Sequence, residues 1–153
     1  MIIEENMNGI IKKADKKDSI ILAKMASKIW DNDSIDELTN EFIDIADDPN
    51  SVCFIKYIDN KPVGFANASL RYDYVEGTET SPVGYLEGIY VEERHRNKSF
   101  AKELVKACEN WAKDLGCKEF ASDCELGNDI SLAFHLALGF EEANRIICFK
   151  KDL

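Results

Sequence analysis

Residues 94–101 read Arg94-His95-Arg96-Asn97-Lys98-Ser99-Phe100-Ala101, a basic stretch that leads into the clearest helical pattern of the chain. From residue 97 to residue 115 apolar residues recur at steps of three and four, and Gly116 follows where a C-terminal cap belongs. Backbone N–H groups at a helix N-terminus bind anions, and neighbouring cations strengthen that binding. The stretch therefore indicates either a phosphate-binding loop or a basic, solvated helix start.

Strand and helix patterns alternate on both sides of this helix. Before it, they predict strands at residues 9–14, 52–58, 63–72 and 83–91 and helices at 18–31 and 34–46. After it, they predict a strand at 118–123, a helix at 128–138, and strands at 140–143 and 146–150. This order predicts an α+β fold, in which helices flank a mixed, mostly antiparallel central sheet with one βαβ crossover. No repeat or Pro/Gly-rich linker interrupts residues 1–153, so we expect a single domain.

The chain is acidic, because 29 aspartate and glutamate residues against 19 lysine and arginine residues give a formal net charge of −10. Such a charge repels nucleic-acid phosphates and anionic membranes and attracts cationic ligands, although it also serves ordinary solubility. No apolar run in the sequence approaches the roughly 20 residues that a membrane-spanning helix needs. We therefore expect neither a nucleic acid nor a membrane as a partner.

The five cysteines are an odd number and include no C-x-x-C pair. This pattern indicates neither a structural zinc site nor a redox motif, so we expect no bound metal. Residues 1–7 contain two glutamates and lack the basic-then-apolar order of a targeting segment. Reduced thiols and the lack of a signal peptide together predict a cytoplasmic protein.

Two motifs in register with the predicted order resemble the GNAT superfamily of N-acetyltransferases. Its members carry Arg/Gln-x-x-Gly-x-Gly/Ala between the fourth strand and the following helix. Here Arg96 and Ala101 match, while Ser99 replaces the usual glycine. The resemblance implies a GNAT fold that uses acetyl-CoA as co-substrate. It also implies that the pyrophosphate is bound by Arg96, Asn97, Lys98, Ser99, Phe100 and Ala101.

The second family motif is Asn-x-x-Ala-x-x-x-Tyr-x-x-x-Gly-Phe. Its counterparts at the same spacing are Asn128, Ser131, His135, Gly139 and Phe140. The resemblance implies that Asn128 contacts the cofactor and that His135, which replaces the family's tyrosine, is the candidate general acid. An imidazole can donate a proton to a departing thiolate. The alternative is a helix histidine that only packs or meets solvent.

Residues 71–91, RYDYVEGTETSPVGYLEGIYV, and residues 120–123, FASD, resemble one subgroup of this superfamily, the aminoglycoside 6′-N-acetyltransferases. The resemblance implies a role in antibiotic resistance and a drug pocket lined by Trp30, Tyr74, Glu87 and Asp123. It implies that the acetyl-pantetheine arm is bound by the backbone of Ile89, Tyr90 and Val91. Related enzymes are often dimers, so it also implies a homodimer. Asn144 departs from the subgroup, which has an acidic residue at that position.

The residues themselves support this interpretation of the pocket. An aminoglycoside is a compact polycation, so its site needs carboxylates and stacking surfaces. Glu87 and Asp123 fall on adjacent predicted strands and could point toward one amine. We expect direct attack of the 6′-amine on the thioester in a ternary complex. Glu87 is the first candidate for the base and Asp123 the second, with His135 as the acid. The alternatives are an acetyltransferase for another small polyamine or amino sugar, or a non-catalytic acyl-CoA-binding module.

Overall fold

A five-stranded sheet forms the centre of the molecule, which a computed structural model describes for residues 9–153. The strands lie in the order β1, β2, β3, β4, β5 and span Ile10–Lys13, Ser51–Ile58, Lys61–Arg71, Val83–Val91 and Phe120–Ala121. β1 to β4 pair antiparallel with their neighbours, and β5 runs parallel to β4. The predicted mixed, mostly antiparallel sheet is confirmed. The prediction about residues 1–7 lies outside the described residues.

Four α-helices accompany the sheet. Helices α1 and α2 precede β2, α3 connects β4 to β5, and α4 follows β5; they span Ser19–Ala26, Ile35–Asp47, Phe100–Asp114 and Asp129–Ala137. Helix α2 begins with a capping box, in which Ser34 Oγ accepts a hydrogen bond from the Glu37 N–H and the Glu37 carboxylate accepts one from the Ser34 N–H. The unit β4–α3–β5 is the predicted βαβ crossover.

A two-residue turn joins β2 to β3. Its residues, Asp59 and Asn60, have φ angles of 49° and 65°. A tight hairpin turn of the type I′ class needs positive φ at both central positions, and Asp and Asn tolerate that conformation better than most residues. Ile58 therefore pairs directly with Lys61. The turn signal of the sequence thus fixes the register of the long β2–β3 hairpin.

Each face of the sheet carries its own apolar layer. Helix α3 covers one face, with Leu104 fully buried against β2, β3 and β4. Helices α1 and α2 cover the other face, where Phe65 is fully buried. The Phe65 ring centroid lies 6.2 Å from that of Trp30, 5.9 Å from Phe42 and 6.5 Å from Tyr90. Phe65 therefore links the two helices and the indole of Trp30 to the sheet.

A buried lysine ties β2 to the first turn of α3. The side chain of Lys56 is only 3% exposed, and its Nζ lies 2.7 Å from Glu103 Oε2. The same nitrogen lies 4.6 Å from the centroid of the Phe100 ring, a cation–π contact. Because Phe100 and Glu103 both belong to the first turn of α3, these contacts fix where that helix begins relative to the sheet.

Several predicted boundaries were wrong. Helix α1 ends at Ala26 rather than at residue 31. Just after Ala26, the Ser27 hydroxyl donates a hydrogen bond to the Lys24 carbonyl and competes with helical hydrogen bonding. Helix α3 begins at Phe100 rather than at residue 97, because Asn97 and Ser99 have positive φ angles that a right-handed helix excludes. The fifth strand covers 120–121 rather than 118–123.

The two strands predicted at residues 140–143 and 146–150 do not form. Residues 141–153 contain no regular secondary structure, and the side chains of Ile147 and Phe149 are 78% and 91% exposed. A strand needs a neighbouring strand to satisfy its backbone N–H and C=O groups, and no strand of the described chain pairs with these residues. Residues 146–149, Ile-Ile-Cys-Phe, form a short apolar run, and no strand within residues 9–153 lies beside it.

We expect Phe65→Ala to lower the free energy of unfolding by about 3–5 kcal/mol, because it removes a fully buried ring and leaves a cavity. Urea unfolding followed by far-ultraviolet circular dichroism measures this loss. Leu126→Ala is the matched control, since Leu126 is highly exposed and its truncation should cost less than about 0.5 kcal/mol. A loss below 1 kcal/mol for Phe65→Ala would contradict the central packing role of this ring.

Candidate active site

Strands β4 and β5 pair for only two residues and then separate. Only Gly84 and Tyr85 of β4 have partners in β5. Beyond them β4 continues to Val91 and pairs with β3 along one edge, so the backbone groups of its other edge have no strand partner among residues 9–153. This open edge ends in the predicted arm-binding residues Ile89, Tyr90 and Val91. An extended ligand can hydrogen-bond to such an edge as an additional strand would.

The start of α3 carries free backbone donors. Its first intrahelical hydrogen bond runs from the Glu103 N–H to the Ser99 carbonyl at 3.0 Å, and the Ser99 side chain forms no cap. The N–H groups of Phe100, Ala101 and Lys102 therefore have no acceptor in the described part of the chain. A negatively charged group such as a pyrophosphate fits these donors.

The loop between β4 and α3 has an unusual backbone. Asn97 and Ser99 have φ angles of 62° and 64°, in the left-handed region. Asparagine visits this region routinely, whereas for serine it costs roughly 1–2 kcal/mol. Glycine, the usual family residue at position 99, adopts it without steric cost. Arg96 anchors the loop, because its Nε donates to the Val91 carbonyl at 2.9 Å. The serine therefore keeps the loop conformation and its N–H donors at a cost in strain.

An open cleft of about 490 Å³ lies beside β4 on the face covered by α1 and α2. Its walls are formed by Trp30, Asp33, Glu41, Ile45, Ser51, Asn67, Ser69 and Glu87. The indole of Trp30 lies directly on Gly88, where an added Cβ would approach the ring to 2.5 Å. An aromatic wall and three carboxylates suit a cationic sugar. A smaller cavity of about 180 Å³ near the start of β2 contains none of the predicted site residues.

Two side chains of β3 hold the carboxylate of Glu87. Ser69 Oγ donates to Glu87 Oε1 at 2.6 Å. Arg71 donates from Nε at 3.1 Å and from Nη2 at 3.0 and 2.9 Å, so that it contacts both carboxylate oxygens. The β3–β4 register skips Glu87, which makes it the extra residue of a β-bulge. The bulge and these hydrogen bonds therefore fix the orientation of the Glu87 side chain.

Arg71 extends this network to Asp123. Its guanidinium carbon lies 3.4 Å from the centroid of the Tyr85 ring, and the Tyr85 hydroxyl donates to Asp123 Oδ2. Burial, together with the hydrogen bond and charge of Asp123, raises the pKa of the Tyr85 phenol well above its usual value, so the group stays a donor at neutral pH. The predicted pair Glu87 and Asp123 is thus connected through Arg71 and Tyr85.

His135 is engaged at both ring nitrogens. Its Nδ1 lies 2.7 Å from the Ser131 carbonyl oxygen, which can only accept, so Nδ1 carries a hydrogen. Its Nε2 lies 2.7 Å from Ser122 Oγ. The ring also packs edge-on against Phe134 and Phe140. In the neutral form, Nε2 therefore accepts the hydroxyl hydrogen of Ser122, the residue that follows β5.

The residues that line the cleft do not include Tyr74, Asp123, Asn128 or Asn144. Tyr74 is 77% exposed in the loop between β3 and β4. Asn128 caps α4, because its Oδ1 accepts a hydrogen bond from the Ser131 N–H at 3.1 Å. Asn144 donates from Nδ2 to Glu76 Oε1 at 2.8 Å. Their predicted ligand contacts stay predictions.

The structure also brings in residues that sequence reasoning missed. The main ones are Asp33, Glu41, Asn67, Ser69, Arg71, Tyr85 and Ser122. Arg71 and Tyr85 belong to the stretch 71–91 that resembles the subgroup. The sequence did not indicate Arg71 as a pocket residue, because a pocket for a cationic substrate is expected to contain carboxylates rather than an arginine. Asp33 and Glu41 are two acidic residues among 29. No local pattern distinguishes them, since only the packing of α1 and α2 brings them to the cleft.

A family model described as the acetyltransferase (GNAT) family matches residues 21–140. The chain belongs to the GNAT acetyltransferase family. This match confirms the family and, with the sheet and helix order above, the predicted GNAT fold. An aminoglycoside N(6′)-acetyltransferase type 1 of Acinetobacter haemolyticus is 39% identical over 130 residues, which cover 85% of this chain and 89% of that relative.

Solved structures of related GNAT enzymes have the same fold. AAC(6′)-Iy in complex with a bisubstrate analogue, CoA-S-monomethyl-acetylneamine, is similar with a TM-score of 0.90 and 35% identity over 94% of this chain and 98% of the other. Aminoglycoside 6′-N-acetyltransferase AAC(6′)-IG from Acinetobacter haemolyticus has a TM-score of 0.89 and 38% identity over 94% and 99% of the two chains. Both similarities extend over nearly the whole chain.

Within residues 9–153, no three His, Cys, Asp or Glu side chains come together as metal ligands. None of the helices in that range is long and apolar enough to cross a membrane.

We expect Ser99→Gly to raise the free energy of unfolding by roughly 0.5–1 kcal/mol, because glycine removes the left-handed strain while its larger unfolded-state entropy offsets part of the gain. Chemical unfolding measures the difference. Asn97→Gly is the matched control, because it changes a residue with nearly the same φ that already tolerates it, and we expect no gain there. A Ser99→Gly protein no more stable than Asn97→Gly would contradict the strain assigned to Ser99.

Proposed function

We propose that this GNAT enzyme transfers an acetyl group from acetyl-CoA to the 6′-amine of aminoglycosides in a ternary complex. One observation carries the proposal: the acidic cleft and the open edge of β4 meet on the same strand. Glu87 faces the cleft, and Ile89 lies two residues farther along the open edge. An amine held by Glu87 is therefore next to a ligand bound along β4. The names of the relatives support the same substrate class.

Acetyl-CoA supplies the acetyl group as an activated thioester, and two features of the chain fit it. The open edge of β4 pairs with the amide-containing pantetheine arm. The free N–H groups at the start of α3 bind the pyrophosphate, and the exposed side chains of Lys98 and Lys102 add positive charge. Holding both substrates in place lowers the barrier, because the reaction no longer needs a productive collision in solution.

The amine must lose one proton as its bond to the acetyl carbon forms. Ser69 and Arg71 occupy acceptor positions of Glu87, which favours an anchoring role for that carboxylate over the role of base. Asp123 is exposed, and its Oδ1 accepts no hydrogen bond within the described residues. Asp123 therefore takes the proton, directly or through water.

The sulfur of CoA must gain one proton as its bond to the acetyl carbon breaks. Ser122 Oγ, in contact with His135 Nε2, donates its hydrogen to the sulfur and receives one from protonated His135. Direct transfer also agrees with the state of the cysteines. Burial raises the pKa of Cys53 to about 12 and that of Cys108 further, so neither thiol ionises into a nucleophile near neutral pH.

Acetylation removes a positive charge from the drug and weakens its attraction to RNA phosphates, which is the physical basis for a role in resistance. The reaction belongs in the cytoplasm, where thiols are reduced.

We expect the wild-type protein to release CoA thiol with an aminoglycoside that bears a 6′-amine and not with a matched compound that bears a 6′-hydroxyl. A thiol-trapping dye follows the release, and kcat/KM for spermidine should be lower than for kanamycin by a factor of at least 100. Equal acetylation of the matched pair, or a preference for spermidine, would overturn the substrate.

A second test of the proposed site uses the variant Glu87→Gln, which keeps the size of the side chain and removes its charge. It should reduce kcat/KM for the 6′-amino drug by about 10–100-fold, since a hydrogen bond to a charged group contributes about 1.5–3 kcal/mol. Its affinity for CoA should equal that of the wild type in calorimetry. A simultaneous loss of CoA binding would mean that the cleft and the open edge of β4 are not separate sites.

The exposed C-terminal segment leads us to propose a homodimer. Residues 146–149 form a short apolar run, and a second copy of the segment would supply the missing neighbouring strand. Pairing would bury Ile147 and Phe149, which are among the most exposed apolar side chains of the chain.

Light scattering should give twice the mass of the chain for the wild type and the mass of one chain for Ile147→Asp, because a charge in the paired segment cannot be buried without a partner. Lys151→Asp, at an exposed position just beyond the segment, is the control and should leave the dimer intact. A monomeric wild type would contradict the dimer.

A further inference from the structure

Arg71 is a cation at the centre of a site that is otherwise built to bind cations. Its guanidinium contacts Glu87 at both oxygens, lies 3.4 Å from the Tyr85 ring centroid, and reaches toward Asp123 through the Tyr85 hydroxyl. Guanidinium groups stay charged at any physiological pH. The hydrogen bonds and charge of Glu87 outweigh the effect of partial burial and raise the pKa of Arg71 further. A fixed positive charge therefore lies between the two carboxylates proposed to contact the amine.

The charges that face Arg71 can be counted. Glu87 and Asp123 are negative, Tyr85 is a neutral phenol, and Ser69 is uncharged. Arg71 cancels one of the two negative charges. Farther along the cleft, Asp33 and Glu41 form no salt bridge with any lysine or arginine of residues 9–153. The cleft is therefore acidic where Asp33 and Glu41 line it and less so at Glu87, whose charge Arg71 offsets.

This distribution of charge allows the site both to attract a cationic substrate and to keep the reacting amine neutral. A polycationic substrate is attracted by carboxylates, but carboxylates also stabilise the ammonium form, which has no lone pair and cannot attack a thioester. Without Arg71, two uncompensated carboxylates would bind the ammonium tightly and unproductively. A like charge a few ångströms away commonly lowers the pKa of an amine by one unit or more.

We propose that Arg71 keeps the acceptor amine of the bound substrate uncharged, while Asp33 and Glu41 bind the other amines as cations. This inference rests on the proposed function and adds an electrostatic role to it. Arg71 acts on the amine through its charge, so a lysine at this position retains the effect and a neutral side chain of similar length loses it. The role is distinct from holding Glu87, which Ser69 also does.

The test compares wild type, Arg71→Met, Arg71→Lys and Ser69→Ala in their pH profiles. The profile of kcat reports groups in the bound complex, whereas that of kcat/KM reports the free enzyme and free substrate. Arg71→Met should move the acidic midpoint of kcat up by about one pH unit, because the bound amine regains a higher pKa, and should leave the midpoint of kcat/KM in place. Arg71→Lys and Ser69→Ala should keep the wild-type midpoint of kcat. Arg71→Gln repeats the measurement if the methionine variant fails to fold.

A binding measurement without turnover provides the second readout. Titration calorimetry near pH 7 in buffers of different ionisation enthalpy counts the protons released when a drug binds. With wild type, the 6′-amino drug should release more protons than its 6′-hydroxyl counterpart, since its amine binds uncharged. Arg71→Met should abolish most of this difference, and Arg71→Lys should restore it.

Three results would overturn the inference. The first is an unchanged kcat midpoint and unchanged proton release in Arg71→Met. The second is a loss of rate in Arg71→Met with the wild-type pH profile, which would leave Arg71 only the role of orienting Glu87. The third is a wild-type protein that acetylates neither drug, in which case the proposed function fails and this inference with it. The wild-type assay alone separates that third case from the other two.

Discussion

Both halves of the site depend on the short pairing between β4 and β5. After Phe120 and Ala121 the chain leaves the sheet, whereas β4 continues to Val91 with its other edge still hydrogen-bonded to β3. The backbone groups of one β4 edge are thereby exposed on a strand that the rest of the sheet holds rigid. The same strand carries Glu87 into the cleft at a bulge. The open backbone edge and the carboxylate in the cleft thus belong to one strand.

The charges of the cleft bear on two properties of a substrate, its electrostatic attraction to the protein and the reactivity of its amine. Its carboxylates suit a substrate with several positive charges, yet the bond-forming nitrogen must be neutral. The contacts around Glu87, with a serine and a bidentate arginine, differ from those of a carboxylate poised to accept a proton. Asp123 has a different setting, since a single phenol donates to it and it remains open to solvent. The two carboxylates therefore differ in their hydrogen-bonding environments, as the proposed division into an anchor and a base requires.

Ser99 and His135 depart from the family motifs, and they change local strain and hydrogen bonding without changing the fold. Ser99 adopts the left-handed conformation that glycine usually provides, and the free N–H groups of α3 are kept. Lys56 stabilises the position of these N–H groups, because its contacts with Phe100 and Glu103 hold the first turn of α3 against β2. His135 replaces a tyrosine but gains Ser122 as a hydroxyl partner.

Local sequence patterns were sufficient to predict the strands and helices up to residue 138, the β2–β3 hairpin, the basic loop before α3 and the family, but the two strands expected at 140–143 and 146–150 were wrong. These features depend on local periodicity and on residue conformations such as those of Asp59 and Asn60, which neighbouring residues are sufficient to set. Only the tertiary structure decided that Arg71 would neutralise Glu87, that Tyr85 would join it to Asp123, and that Ser122 would meet His135. It also decided that residues 146–150 remain unpaired. The physical reason is that these outcomes depend on contacts between residues far apart in sequence, whose charges and backbone groups interact only once the sheet brings them within a few ångströms.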